Sequence, residues 1–354
     1  MTNELLVEQI GVCGWITLQR PNALNALSMD MVQGIHDALT QFEHASHIQA
    51  IVMDSSCDKA FCAGGDIKAA YEHRDQPIYL NNYFALEYNL NLRIGNLKKP
   101  YIALIDGMCF GGGMGISCHG SHRIMTPSGL MAMPETAIGF YPDIGAGYFY
   151  NQMPGFTGRY LGLTGDRIDL DDALFLGLAT HGLHHEKLDD LRSFLKTSTL
   201  TLASEFSQSL TFWLKQNSYS PKVGPIERNL HRINTCFSPN TMEEIMHLLS
   251  QSSQDSFCKQ MFETLMLRSP TSLKVTLKYF DITKGLSRAD ALQRDLRLSI
   301  RFCTGGEFFE GIRAMVVDKD KNPVWNPSRL SDVTDDLVES FVLDLEASTQ
   351  KSFA

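Results

Sequence analysis

The sequence predicts an α/β fold built on parallel strands, followed by a helix-rich second half. Three observations carry this. Ala50-Ile51-Val52-Met53 and Tyr101-Ile102-Ala103-Leu104-Ile105 are short, continuously apolar runs, the pattern of strands covered on both faces. Met31, Val32, Ile35, Leu39 and Phe42 fall at helical spacing between them, and alternation of strand and helix points to a parallel sheet. Beyond about residue 190 the helical pattern takes over, at Leu202 to Leu214, Met242 to Leu249 and Phe257 to Leu267.

Taken in order, Leu5 to Ile10 and Val12 to Leu18 read as two strands joined at Gly11 as a hairpin. Arg20-Pro21-Asn22 turns the chain, and Ser28 is placed to cap the helix that follows. Gly158 to about Leu183 reads as short helices, with Asp169 or Asp171 as a cap. A polar stretch near Gln216 to Pro225 interrupts the later helices, and Pro323 and Pro327 mark a loop near the C-terminus. The expected division is a core over residues 1–190, a helical insertion over 191–286 and a C-terminal helical region over 287–354.

At 354 residues with 44% hydrophobic and 20% charged residues, the composition is that of a soluble globular protein. A net charge of −9 argues against a general nucleic-acid or anionic-membrane binder. Eight cysteines occur without a Cys-x-x-Cys pair, several in apolar surroundings, which suits reduced, buried thiols. No apolar run approaches the roughly 20 residues of a membrane span. Glu4 and Glu8 stand where a signal peptide would carry basic residues. The expectation is a cytoplasmic protein.

Each apolar strand leads into a glycine-rich element. The first is Lys59-Ala60-Phe61-Cys62-Ala63-Gly64-Gly65-Asp66-Ile67, the second Gly107-Met108-Cys109-Phe110-Gly111-Gly112-Gly113-Met114-Gly115. Such glycines let a ligand approach backbone amides, and two elements of this kind can aim two amides at one carbonyl oxygen; tight turns with close helix packing explain most such glycines taken singly. Neither is a dinucleotide or Walker fingerprint. Glu135 and Asp143 lie in an apolar segment, Met133 to Gly147, in which Pro142 prevents one continuous helix. Carboxyls within apolar walls gain raised pKa values suited to acid–base work. Read alone, Asp143 is also a fitting N-cap and Glu135 a fitting buried structural acid.

Other signals are weaker. His119 and His122 lack the partners of a metal site. His181, His184 and His185 read as following a helix end, where imidazolium complements the dipole. Cys62 has no evident histidine partner and reads as packing. There is no Gly-x-Ser-x-Gly elbow, and Glu87 alone reads as a solvated helix position.

Together these elements resemble the crotonase (enoyl-CoA hydratase/isomerase) superfamily. The resemblance runs through Arg20-Pro21-Asn22-Ala23-Leu24-Asn25-Ala26-Leu27, both glycine elements, the Glu135 segment and Glu310-Gly311-Ile312-Arg313-Ala314. It implies a spiral of ββα units and two backbone amides, Ala63 and Gly112 here, that hold the thioester oxygen of an acyl-CoA. The C-terminal marks Ser269-Pro270-Thr271-Ser272-Leu273-Lys274 and Val317-Asp318-Lys319-Asp320-Lys321 are similar to the 3-hydroxyisobutyryl-CoA hydrolase branch. That branch implies catalysis by Glu135 and Asp143, with Gly64, Gly65, Asp66, Glu87 and Gly111 at the substrate. It acts on a short branched 3-hydroxyacyl-CoA in valine catabolism, and needs no metal or redox cofactor, since coenzyme A belongs to the substrate. Hydratases carry their first catalytic glutamate where this chain has Gly115, which disfavours hydration. An enoyl- or dienoyl-CoA isomerase uses a similar Glu and Asp pair, and a non-catalytic acyl-CoA binder is a third reading. The superfamily's trimers and hexamers make a homo-oligomer compatible with the resemblance, its order left open by the extra helices.

Overall fold

In the computed structural model, which describes residues 3–343, the chain forms two compact units interleaved along the sequence. Residues 3–65, 89–131 and 168–224 make the first, and residues 66–88, 132–167 and 225–343 the second. The final stretch of the expected C-terminal region, residues 344–354, lies outside the described residues.

The first unit holds the parallel sheet. Strands β1 (Leu5–Ile10) and β2 (Cys13–Leu18) pair antiparallel as the hairpin, and Gly11 between them sits at φ 58°. Parallel pairs then join β2 to β3 (Ala50–Ser55), β3 to β5 (Tyr101–Ile105), β5 to β7 (His122–Met125) and β7 to β9 (His181–Gly182). A smaller sheet runs in the order β4 (Ala60–Cys62), β6 (Met108–Phe110) and β8 (Leu130–Ala132). Each of β3, β5 and β7 is thus followed by a short strand of the second sheet, the repeated ββα plan. The continuous apolar runs explain the larger sheet: β3 is buried from Ala50 to Asp54, and all five residues of β5 are buried.

Helix α1 (Met29–His44) starts where expected, with Ser28 Oγ accepting from the Met31 N–H at 3.2 Å. Its buried residues are Met31, Val32, Ile35, Ala38, Leu39 and Phe42. The helices His185–Thr197 and Ala203–Gln216 bury Leu188, Leu191, Leu195, Phe206, Leu210 and Leu214 in one cluster with Trp15, Val52, Leu104 and Ile124 of the sheet. Arg192 of the first of these helices pairs in a bidentate manner with Asp54 of β3, at 2.9 and 2.8 Å.

One local expectation fails. His184 and His185 open the helix His185–Thr197 rather than following a helix end, and His181 lies in β9. Imidazolium there has no favourable dipole to meet. The His181 and His122 rings stack at 6.1 Å, and burial pushes the His122 ring down to about 4, so it is neutral near neutral pH.

The second unit packs long helices around residues 132–167. Ser269 caps Pro270–Thr283 and Ser287 caps Arg288–Gly305, each accepting from the N–H three residues on. Ser269 is also tied to the Glu135 segment, since its N–H donates to the Thr136 carbonyl at 3.2 Å. Buried Glu307 accepts from Ser269 Oγ at 2.7 Å and from the Asn326 N–H at 3.0 Å. Ser269, in the first of the C-terminal marks seen in the sequence, therefore braces the segment that carries Glu135.

Candidate active site

Within the first unit the two glycine elements are side by side. Strands β4 and β6 pair parallel, and the Gly113 Cα faces the Cys62 carbonyl so closely that a Cβ there would lie 2.4 Å from its oxygen. Gly64, at φ 119°, lies beside the Gly112 N–H. Gly112 opens helix α2 (Gly112–Cys118) behind Gly111, a position whose N–H has no acceptor within the helix.

The amide assigned to the first element has to be corrected. The Ala63 N–H donates to the Leu24 carbonyl at 3.0 Å, so it is spent on the fold. The Gly64–Gly65 peptide is turned the other way. The Gly64 carbonyl accepts from the Leu27 N–H at 2.8 Å, and because C=O and N–H of a trans peptide point in opposite directions, the Gly65 N–H faces away from that contact. Gly65, rather than Ala63, presents the amide of the first element. The loop that sets this rotation is held by fully buried Asn25, whose amide donates to the Phe61 carbonyl at 3.0 Å and to Ser55 Oγ at 2.8 Å. Cys62 is buried with its Sγ 3.0 Å from the Asn25 carbonyl, a packing position.

The space beside Gly115 is taken by Asn91, whose Oδ1 would lie 2.8 Å from a Cβ there. Asn91 is fully buried, and neither end of its amide has a hydrogen-bond partner among the described residues. A buried amide in this state carries a desolvation cost of roughly 1–3 kcal/mol. Sequence reasoning missed it because its apolar helix neighbours carry no sign of the glycine opposite.

The second unit gathers three acids. Glu135 begins a 3-10 turn, Glu135–Ile138, and is 8% exposed, with Oε2 unpartnered among the described residues. Glu87 is 3% exposed, on the helix Pro77–Asn96, with Oε1 likewise unpartnered. Asp143 is 6% exposed and accepts from the Tyr88 hydroxyl at 2.6 Å; it does not cap the helix that follows, whose N-cap is Gly145. Burial pushes Glu87 and Glu135 well above the ordinary carboxylate range, and the Asp143 charge pushes both further. Burial likewise lifts Asp143 to about 6, against the downward pull of the Tyr88 bond. Because each acid's charge acts on its neighbours, the three titrate as a set. Aromatic rings provide the low-dielectric surroundings: Phe140 lies 4.4 Å from Phe308, 5.3 Å from Phe302 and 5.8 Å from Phe84 between centroids.

Asp66, expected at the substrate, has its carboxylate engaged at the N-terminus of the helix Ile67–Glu72, where it accepts from the Ala69 N–H at 3.0 Å. Tyr88, Ser299 and Asp295, which surround Asp143, gave no sign in the sequence.

Comparison with known proteins places the chain among its relatives. Residues 13–342 match the family model described as enoyl-CoA hydratase/isomerase. The chain is 39% identical over 338 residues to the mitochondrial 3-hydroxyisobutyryl-CoA hydrolase of Xenopus laevis, covering 95% of this chain and 87% of that one. The mitochondrial 3-hydroxyisobutyryl-CoA hydrolase of Homo sapiens is 37% identical over 354 residues, with 98% and 90% covered. Among solved structures, a carnitinyl-CoA dehydratase from Mycobacterium thermoresistibile superposes with a TM-score of 0.90 at 29% identity, covering 99% of each chain. An enoyl-CoA hydratase from Rhodobacter sphaeroides 2.4.1 gives 0.88 at 30% identity, covering 96% and 97%.

Proposed function

The chain belongs to the enoyl-CoA hydratase/isomerase family, and from that premise we propose that it hydrolyses a short branched 3-hydroxyacyl-CoA thioester. The substrate we assign is 3-hydroxyisobutyryl-CoA, released as 3-hydroxyisobutyrate and CoA in valine breakdown. The observation that carries this is the match to 3-hydroxyisobutyryl-CoA hydrolases along nearly the whole chain, C-terminal marks included.

In this reading the Gly65 and Gly112 amides hold the thioester oxygen while negative charge gathers on it, the interaction that contributes most to such reactions. Gly64 and Gly111 keep the backbone open to the ligand, and Gly64 and Gly65 lie along the CoA arm. Glu135 acts on the carbonyl carbon by one of two routes. It attacks directly, expelling the CoA thiolate and leaving an anhydride that water opens, or it takes a proton from the water that attacks. Asp143 and Glu87 bind the 3-hydroxyl and handle the protons that water supplies and the thiolate receives. The thioester is itself an activated carbonyl, so the reaction calls for no metal or redox cofactor.

Hydration in the manner of the dehydratase and hydratase neighbours is disfavoured by Gly115, whose side-chain space Asn91 occupies. Eight free cysteines, six of them buried, support a reducing compartment. The cytoplasm meets that condition, as does the mitochondrial interior named for the relatives. No helix among the described residues is long and apolar enough to cross a membrane.

The test is a chromatographic panel of 3-hydroxyisobutyryl-CoA, isobutyryl-CoA and an unsaturated acyl-CoA. The proposal expects free CoA, fastest from the first, and no altered acyl chain on the third. An intact thioester with a shifted double bond would establish an isomerase instead, and binding without turnover an acyl-CoA carrier.

A further inference from the structure

Three hydroxyl groups stand in line behind the Asp143 carboxylate. The Tyr88 hydroxyl donates to Asp143 Oδ2 and lies 2.6 Å from Ser299 Oγ. Ser299 Oγ is 3.0 Å from the Tyr141 hydroxyl, which donates to the Asp295 carbonyl at 2.9 Å. Tyr88, Tyr141 and Ser299 are all fully buried. A main-chain carbonyl only accepts, so Tyr141 commits its proton there, and Tyr88 commits its own to the ionised Asp143. The single Ser299 proton then falls to a phenol oxygen, and none of these hydroxyls has a second proton to lend.

The main chain at Asp143 is held from the same helix. Ile144 and Gly145 both adopt left-handed backbone, at φ 52° and 81°, an unfavourable state for a β-branched residue. The Gly145 N–H donates to Asp295 Oδ2 at 2.6 Å, and the other Asp295 oxygen accepts from the Tyr279 hydroxyl at 2.6 Å. Asp295 and Ser299 are four apart on Arg288–Gly305, hence on one face. That face therefore grips both the turn that carries Asp143 and the hydroxyl behind its side chain.

We propose that Tyr88, backed by Ser299, is a positioning residue for the thioester reaction, committing one Asp143 oxygen to its hydroxyl so that the other is presented to the substrate. The inference rests on the reading of Asp143 as a catalytic acid–base. Among the described residues, the titratable groups whose interaction with the Asp143 charge is resolved are Glu87, Glu135, Asp295 and Cys303, besides the tyrosines. None of them is a cation. The Tyr88 bond is the named side-chain contact that favours the charged form, and its removal drives the Asp143 titration upward.

The experiment is Tyr88→Phe, which keeps the buried ring and removes the hydroxyl, measured beside Ser299→Ala and Asp143→Asn on 3-hydroxyisobutyryl-CoA. Tyr88→Phe is expected to lower kcat roughly 10- to 100-fold with KM nearly unchanged, and to move the acidic limb of the kcat/KM profile to higher pH. Ser299→Ala should move both in the same directions by less, and it carries the test if Tyr88→Phe fails to fold. If Asp143→Asn keeps wild-type turnover, the underlying reading of Asp143 fails and takes this inference with it. If Asp143→Asn is inactive while Tyr88→Phe has wild-type kcat and pH limb, the positioning role alone is overturned. A loss of kcat with the limb unmoved in both Tyr88→Phe and Ser299→Ala would also overturn it, leaving a purely structural contact.

Discussion

The close approach of the two glycine elements gives a prediction whose size follows from the structure. In Gly113→Ala the new methyl carbon would lie 2.4 Å from the Cys62 carbonyl oxygen and 3.0 Å from Cys62 Cβ. Ordinary contact begins about 1 Å further out, and the nearest atom is backbone, so no side-chain rotation relieves it. Strand β4 and helix α2 must separate by most of that distance. Overpacking of this kind costs roughly 1–3 kcal/mol, which in a 354-residue chain lowers Tm by roughly 1–4 °C. The catalytic effect should be larger. The same movement separates the Gly65 and Gly112 amides, and a displacement near 1 Å costs on the order of 100-fold in rate. Denaturation midpoint and steady-state CoA release are measured on the same preparation. A Gly113→Ala protein with lowered stability and wild-type kcat would refute the claim that the spacing of these elements sets the position of the two amides.

Three further outcomes are expected. Asp143→Asn should unfold at a higher temperature than wild type near neutral pH, because a carboxyl whose folded pKa is raised from 3.8 to about 6 destabilises the fold increasingly as pH rises through that window; no gain in Tm at pH 7, or a gain that grows at pH 4, would contradict this. Arg192→Ala breaks the bidentate pair with Asp54, whose side chains are 25% and 10% exposed, and should lower stability by about 2 kcal/mol in denaturant titrations with kcat intact. Replacing Asn91 with the similarly sized Leu removes an unpartnered buried amide, so thermal melting should be unchanged or raised; a fall of several degrees would show that the amide has a partner in the folded protein.

Much of the fold was legible because burial leaves a direct imprint on sequence. The runs 50–53 and 101–105 are strands because only a doubly covered strand tolerates continuous apolar residues. Ser28 caps the helix it was expected to cap, and of the two candidates Asp169 and Asp171 it is Asp169 that caps the other. Glu135 and Asp143 were visible because acids are rare in apolar segments and Pro142 forces a bend between them. What was hidden depends on contacts distant in sequence. Ala63 and Gly65 differ as amide donors only through the way their peptides are turned, set by Leu24 and Leu27. Tyr88 and Ser299 meet across 211 positions, and Asp295 reaches Gly145 across 150. Asp295 and Ser299 are fully buried on a helix that also carries Arg288, Arg294, Arg297 and Arg301, so a polar pair on it does not stand out in the sequence. The histidines at 184 and 185 were misplaced because a helix start and a helix end differ by only a few residues in a polar stretch.

Whether Glu135 carries thioester hydrolysis is decided by a single comparison. Wild type and Glu135→Gln are mixed with 3-hydroxyisobutyryl-CoA, free CoA is followed by chromatography, and binding of the intact ester to the variant is measured by calorimetry. Chromatography is preferred to a thiol dye because the protein has eight cysteines of its own. CoA release is expected from the wild type, none above background from Glu135→Gln, and ester binding retained within a fewfold. Turnover by Glu135→Gln at a rate near wild type would contradict the role of Glu135.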